Sequence, residues 1–204
     1  MELIVFQLVI LLFSAVIHEV SHGFVADYLG DRTARDAGRL TLNPLKHLEA
    51  FGSFILPLSL FLISGGSFIF GWAKPVPYNP YNLKNPVRDG GLIAAAGPLS
   101  NFLIALILGI LYRVLTVSGF PYSNFLNLIS IIVLINLMLM VFNLVPLPPL
   151  DGSKVLFAFL PKKAYRIVNF LNQYGTFLLL IFIFFGFQLI IPIIYLVYRL
   201  ILGI

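Results

Sequence analysis

Two histidines four residues apart, with a glutamate directly after the first, form the densest group of reactive side chains in this 204-residue chain: His18-Glu19-Val20-Ser21-His22. Residues four apart on a helix share a face, so His18 and His22 can aim both imidazoles at one metal ion. Glu19 sits about 100° round from His18, close enough to reach a water beside the metal without ligating it. This is the HExxH spacing, two zinc ligands and a general base. Zinc makes a water acidic near pH 7, and the glutamate takes its proton as it attacks a peptide carbonyl.

A catalytic zinc site takes three protein ligands and keeps a fourth position open. Cysteine is absent, and the third histidine, His47, falls in a polar, interfacial stretch. Asp151 is the better third ligand. It follows an apolar run that ends in Pro146-Leu147-Pro148-Pro149, and three prolines in four residues cannot stay a regular helix. Its carboxylate is therefore expected on unwound backbone near membrane depth, which is tolerated where it lines a cavity. In isolation Asp151 would read as the N-cap of a helix starting near Ser153. Beside HExxH it reads as a ligand.

The surrounding elements are those of a membrane protein. The chain is 60% hydrophobic and 10% charged, with mean hydropathy +1.01, against about 25% charged residues in soluble domains. An ionisable group at the bilayer centre costs about 2.5–3.5 kcal/mol, so a buried His/Glu/His cluster there marks a functional site. The net charge of +5 points to cationic loops on one membrane face and not to nucleic acid. The expected fold is an all-α polytopic bundle in the lipid bilayer, a single domain over residues 1–204 with its core at about 3–155. Leu3–Tyr28 predicts a membrane helix stopped by Gly30. It lacks a basic leader and a small-residue cleavage site, so it reads as retained and not as a signal peptide. Further helices are expected at Gly90–Tyr112 and Phe125–Val145. The run Tyr174–Ile204 fits either one tilted helix kinked at Pro192 or a hairpin turning near Gly186. The segment 71–86, rich in Pro, Asn and Tyr, predicts extended or turn structure at the membrane surface.

The metal site imposes a parity test. His22 ends the first helix and Asp151 follows the Phe125–Val145 helix, so both ends must share one side. Phe51–Phe70 must then re-enter and return, and the break at Gly65-Gly66 suits a turn. Under that reading 11 of the 13 Lys and Arg residues fall on the metal side, with Arg113 opposite, joined by Arg199 if the last run crosses once. The positive-inside rule makes the metal side cytoplasmic.

Four stretches, HEVSHGFVADYLGD, GWAKPVP, AAGPLSN and NLVPLPPLDG, together resemble the site-2 protease family of intramembrane zinc metalloproteases. The similarity is closest to its small bacterial branch without a PDZ domain and covers about residues 14–155. The resemblance implies zinc on His18, His22 and Asp151, Glu19 as the catalytic base, and a transmembrane segment of another membrane protein as substrate in the bacterial inner membrane. It also implies that Asn101, in Gly97-Pro98-Leu99-Ser100-Asn101, stabilises the oxyanion or holds substrate backbone. An amide among small residues would equally serve as a contact between helices. Lys74-Pro75-Val76-Pro77-Tyr78 could clamp an extended peptide or simply form a turn. The rival class is an ion or proton transporter using the same His/Glu/Asp cluster, which would not need Glu19 as a base. Oligomeric state is left open.

Overall fold

The first apolar run folds as one helix, α1 (Glu2–Tyr28), in the computed structural model of the chain. The structure describes residues 2–49, 52, 55, 59, 62, 63 and 74–204, with the backbone alone at Lys162. At 1.5 Å per residue, 27 residues are about 40 Å long, enough to cross a bilayer with tilt. Gly30 stops α1 as expected. Its φ is +108°, its N–H reaches the Asp27 carbonyl, and the next N–H, of Asp31, reaches back to Ala26. That pair of bonds closes the helix end, and the left-handed residue between them favours glycine.

A short helix α2 (Thr33–Asp36) follows. Residues 74–79 run without regular structure into a single 3-10 turn at Pro80–Asn82. Two long helices come next, α3 (Pro86–Val117) and α4 (Ser123–Asn143), beginning four and two residues before the expected starts. Then come α5 (Asp151–Phe159), α6 (Tyr165–Ile181) and α7 (Ile191–Leu202). No strand occurs among the described residues. Among the described residues, four helical segments, α1, α3, α4 and Tyr165–Leu189, are long and apolar enough to span a membrane.

Contacts fix the directions. Ser14 and His22 of α1 meet Asn101 and Ile93 of α3, so these helices run antiparallel. The tight link between α3 and α4 reverses the chain again, leaving α1 and α4 parallel as the metal site requires. The parity of the 32–85 connection can be read from its two ends: Asp31, just past α1, accepts the Asn79 N–H at 2.6 Å. Both ends therefore lie on one side. The path between them, including the expected re-entrant turn at Gly65-Gly66, lies outside the described residues.

The C-terminal run is one bent path and not a hairpin. A wide turn at Phe182–Gly186 and a tight one at Phe187–Leu189 join α6 to α7. α7 packs on α3 and α4, not back along α6. Gly175 lies against Pro148, where a Cβ would come within 2.6 Å, and the far end of α7 meets Arg113 at the opposite end of the bundle. The run begins on the Asp151 side and ends on the other, so it crosses once. Between α3, α4 and α7 lies the aliphatic core, centred on Ala105, Val133, Leu137 and Ile194.

Candidate active site

Folding brings His18, His22 and Asp151 together across a separation of 133 residues. Asp151 Oδ2 lies 2.9 Å from His18 Nε2 and 3.2 Å from His22 Nε2. Asp151 is the first residue of α5, not its N-cap. Leu150 holds that position, with no capping side chain, so the carboxylate is free for the imidazoles. It also benefits from the positive end of the α5 dipole. Gly152 allows this placement, because a Cβ there would sit 2.2 Å from the Leu144 carbonyl.

The other ring nitrogens are committed elsewhere. His22 Nδ1 is 2.7 Å from the Ile93 carbonyl, an acceptor only, so it must donate there. His18 Nδ1 is 2.6 Å from Asn101 Oδ1. In a neutral ring, each Nε2 then turns its lone pair toward the Asp151 carboxylate. Three electron-pair donors would then face one another, and a cation between them would relieve the repulsion. The donor set of two imidazoles and one carboxylate is one that zinc accepts. Gly97 makes room for it, since a Cβ there would lie 2.4 Å from His18 Nε2.

Glu19 occupies the neighbouring wall. The ligand-capable atoms of His18, Glu19 and His22 all lie within 4.8 Å of one another. Glu19 Oε2 accepts the Val76 N–H at 2.9 Å, which steers the carboxylate toward the extended segment. That segment is stapled at both ends. Arg39 Nη2 donates to the Lys74 and Pro75 carbonyls at 2.8 and 3.4 Å. Asp31 accepts from the N–H groups of Thr33 and Asn79, from Thr33 Oγ1 and from Asn82 Nδ2. Burial works to raise the Asp31 pKa, and these donors bring it below its ordinary value.

A polar cavity of about 170 Å³ opens onto His18, Glu19, His22 and Asp151, walled by Val76, Tyr78, Asn143 and Lys154 among others. Asn101 does not line it. It is fully buried behind His18, its Oδ1 on His18 and its Nδ2 on Asn136 Oδ1 and the Ser14 carbonyl. Sequence reasoning passed over four residues that shape the site. Asn143 and Lys154 line the cavity, Asp31 anchors the 74–79 segment that walls it, and Asn136 holds Asn101. The signal for Asn136 was available, an amide inside an otherwise apolar span.

Four membrane-length helices among the described residues, with a His/Glu/His/Asp cluster at a polar cavity, fit a membrane metalloprotease. Residues 6–121 and 115–183 match peptidase family M50. The chain is 36% identical over 186 residues to "Putative zinc metalloprotease YwhC" of Bacillus subtilis (strain 168), covering 89% of this chain and 81% of that protein. It is 34% identical over 149 residues to "Putative zinc metalloprotease MJ0611" of Methanocaldococcus jannaschii, covering 72% and 71%. To "Putative zinc metalloprotease Rip2" of Mycolicibacterium smegmatis it is 29% identical over 171 residues, and spans only 61% of that longer protein. No solved structure matches. The chain belongs to peptidase family M50 and is a metalloprotease of that family.

Proposed function

We propose that the protein hydrolyses peptide bonds in or near the transmembrane segments of other membrane proteins, using zinc held by His18, His22 and Asp151. The observation that supports this is the convergence of those donors at one cavity, built on helices long and apolar enough to span the bilayer, with Glu19 on the same wall. The ion would supply Lewis acidity, making a water acidic near neutral pH and polarising the scissile carbonyl. Glu19 accepts the proton from the attacking water and returns it to the leaving amine. The Val76 N–H keeps that carboxylate aimed at the cavity. A helical substrate hides its carbonyls in hydrogen bonds, so it must unwind to react. Pro75, Val76 and Tyr78 wall the cavity beside which the unwound segment would lie.

The proposed setting is the bacterial inner membrane, with the cavity open to the cytoplasm. The clustering of Lys and Arg on the Asp151 side supports this orientation. Labelling single engineered cysteines in intact cells tests it, and an externally accessible residue 84 would overturn it. The activity is tested by reconstituting the protein with zinc and a model transmembrane substrate. In Glu19→Gln, cleavage is expected to fall by about 10²–10⁴-fold with zinc content unchanged. Undiminished cleavage would overturn the assignment of the base.

A further inference from the structure

We infer that Asn136 is a positioning residue for the metal: through Asn101 it sets which nitrogen of His18 is free to ligate. The inference rests on the zinc site proposed above, and goes beyond it in assigning a role to a residue 35 positions from Asn101 on another helix.

Two groups cannot turn over, the backbone carbonyls of Ile132 and Ser14. Backbone carbonyls only accept. Asn136 Nδ2 lies 2.9 Å from the Ile132 carbonyl, so its NH₂ must face Ile132 and its Oδ1 must face the other way. That oxygen is 3.0 Å from Asn101 Nδ2, and the Ser14 carbonyl is 3.3 Å from the same nitrogen. Two acceptors on one side of Asn101 oblige it to present NH₂ there and Oδ1 to His18. At 2.6 Å from that oxygen, His18 Nδ1 must carry its proton. The lone pair is then on Nε2, the nitrogen that faces Asp151. Without Asn136, only the longer bond to Ser14 holds the Asn101 amide. A flipped Asn101 would offer NH₂ to Nδ1, take up its lone pair and leave the proton on Nε2, the nitrogen that must ligate.

Solvent cannot substitute for Asn136. Asn101 and Asn136 are both fully buried, and the neighbouring positions on α4, Val133 and Leu137, are fully buried aliphatics. An amide placed there costs free energy in an apolar span. His22 needs no such relay, because its Nδ1 partner is itself a backbone carbonyl.

The test measures zinc affinity of purified protein by competition with a chelator, with no substrate present. Asn136→Leu is expected to weaken zinc binding by about 10–100-fold, the usual effect of losing an outer partner of a ligating histidine. Asn136→Ser, smaller and well tolerated in a membrane helix, is expected to do the same, since its hydroxyl is too short to reach Asn101; it serves if the leucine variant does not fold. Asn136→Asp is expected to stay within about threefold of wild type, because a protonated carboxyl donates to Ile132 and accepts from Asn101 as the amide does. Wild-type affinity in the leucine or serine variant would overturn the inference, as would an equal loss in Asn136→Asp. Failure of the wild-type protein to take up zinc would instead overturn the metal site itself.

Discussion

The two sides of the HExxH turn are held in different ways. On the His18 side the supports are side chains of membrane helices, with Asn101 on α3 and Asn136 on α4 forming a buried chain of amides. On the Glu19 side the support is a loop, Val76, tied down at its ends by Arg39 and Asp31. One side is closed to water and fixed by helix packing, while the other sits at the cavity mouth and is fixed by hydrogen bonds near the surface. The difference suits the tasks. A ligand must hold one tautomer and one orientation, whereas a base must meet both water and an incoming peptide, which needs an accessible wall.

The comparison breaks most severely on the helix side. Gly97→Ala would place a Cβ 2.4 Å from His18 Nε2. The imidazole must move or the helices must separate, and His18 is pinned from behind by Asn101. Zinc affinity is expected to fall on the order of 100-fold, with peptidase activity falling alongside. Chelator competition and a cleavage assay on the same preparation check this. Unchanged zinc binding would show that the His18 side yields more readily than its packing implies.

The loop side should fail differently. Asp31→Ala removes the acceptor that ties Asn79 and Asn82 to the end of α1. Val76 then loses its fixed place over Glu19, and kcat/KM is expected to fall about 10-fold to 100-fold, as misplacement near a reacting group commonly does. Zinc affinity should stay at the wild-type value. A parallel loss of zinc would mean that the two sides are mechanically one.

Acid offers a milder way to release the same loop. Hydrogen-bond donors around Asp31 lower its pKa below the ordinary value of about 3.9. A group depressed on folding contributes stability above its unfolded pKa and loses it as pH falls through the folded one. The staple should therefore be intact above about pH 4 and weaken as the solution is acidified further. Pepsin cleavage within 74–85 should rise on that acidification in the wild-type protein. In Asp31→Asn, which has no charge to lose, susceptibility should already be raised at pH 4 and change little below it. The same pH dependence in both proteins would remove Asp31 as the cause.

The contrast also explains what could be read from the sequence. His18, Glu19 and His22 are legible because their geometry is local, set by helix periodicity alone. Asp151 became legible through chemistry, as a carboxylate after a proline break with no competing donor, and the parity of the helices followed from the pair. Asn101 was visible as an amide among small residues, but its direction was not. Whether it faces the cavity or the back of His18 depends on the rotation of α3 against α1, which no spacing within α3 reveals. Asp31 and Asn136 act across separations of 48 and 35 residues. Their partners are set by packing between elements, so the sequence carries only the hint that a polar group sits where apolar ones prevail.

The smallest expected effect lies at the other end of the bundle and controls for the rest. Arg113 Nε donates to the Ile201 carbonyl at 2.7 Å, and its Nη2 bonds the Leu200 carbonyl. These carbonyls at the end of α7 have no helical partners of their own. A cation there also offsets the negative end of the helix dipole, worth about 0.3–1 kcal/mol. Arg113→Ala should lower the thermal midpoint in detergent slightly. Zinc affinity and cleavage should not change, because α7 meets the site only through α3 and α4. A measurable loss of zinc in this variant would show that packing strain travels the length of those helices. The losses expected from Gly97→Ala and Asn136→Leu would then need to be read as general loosening of the bundle and not as local effects on His18.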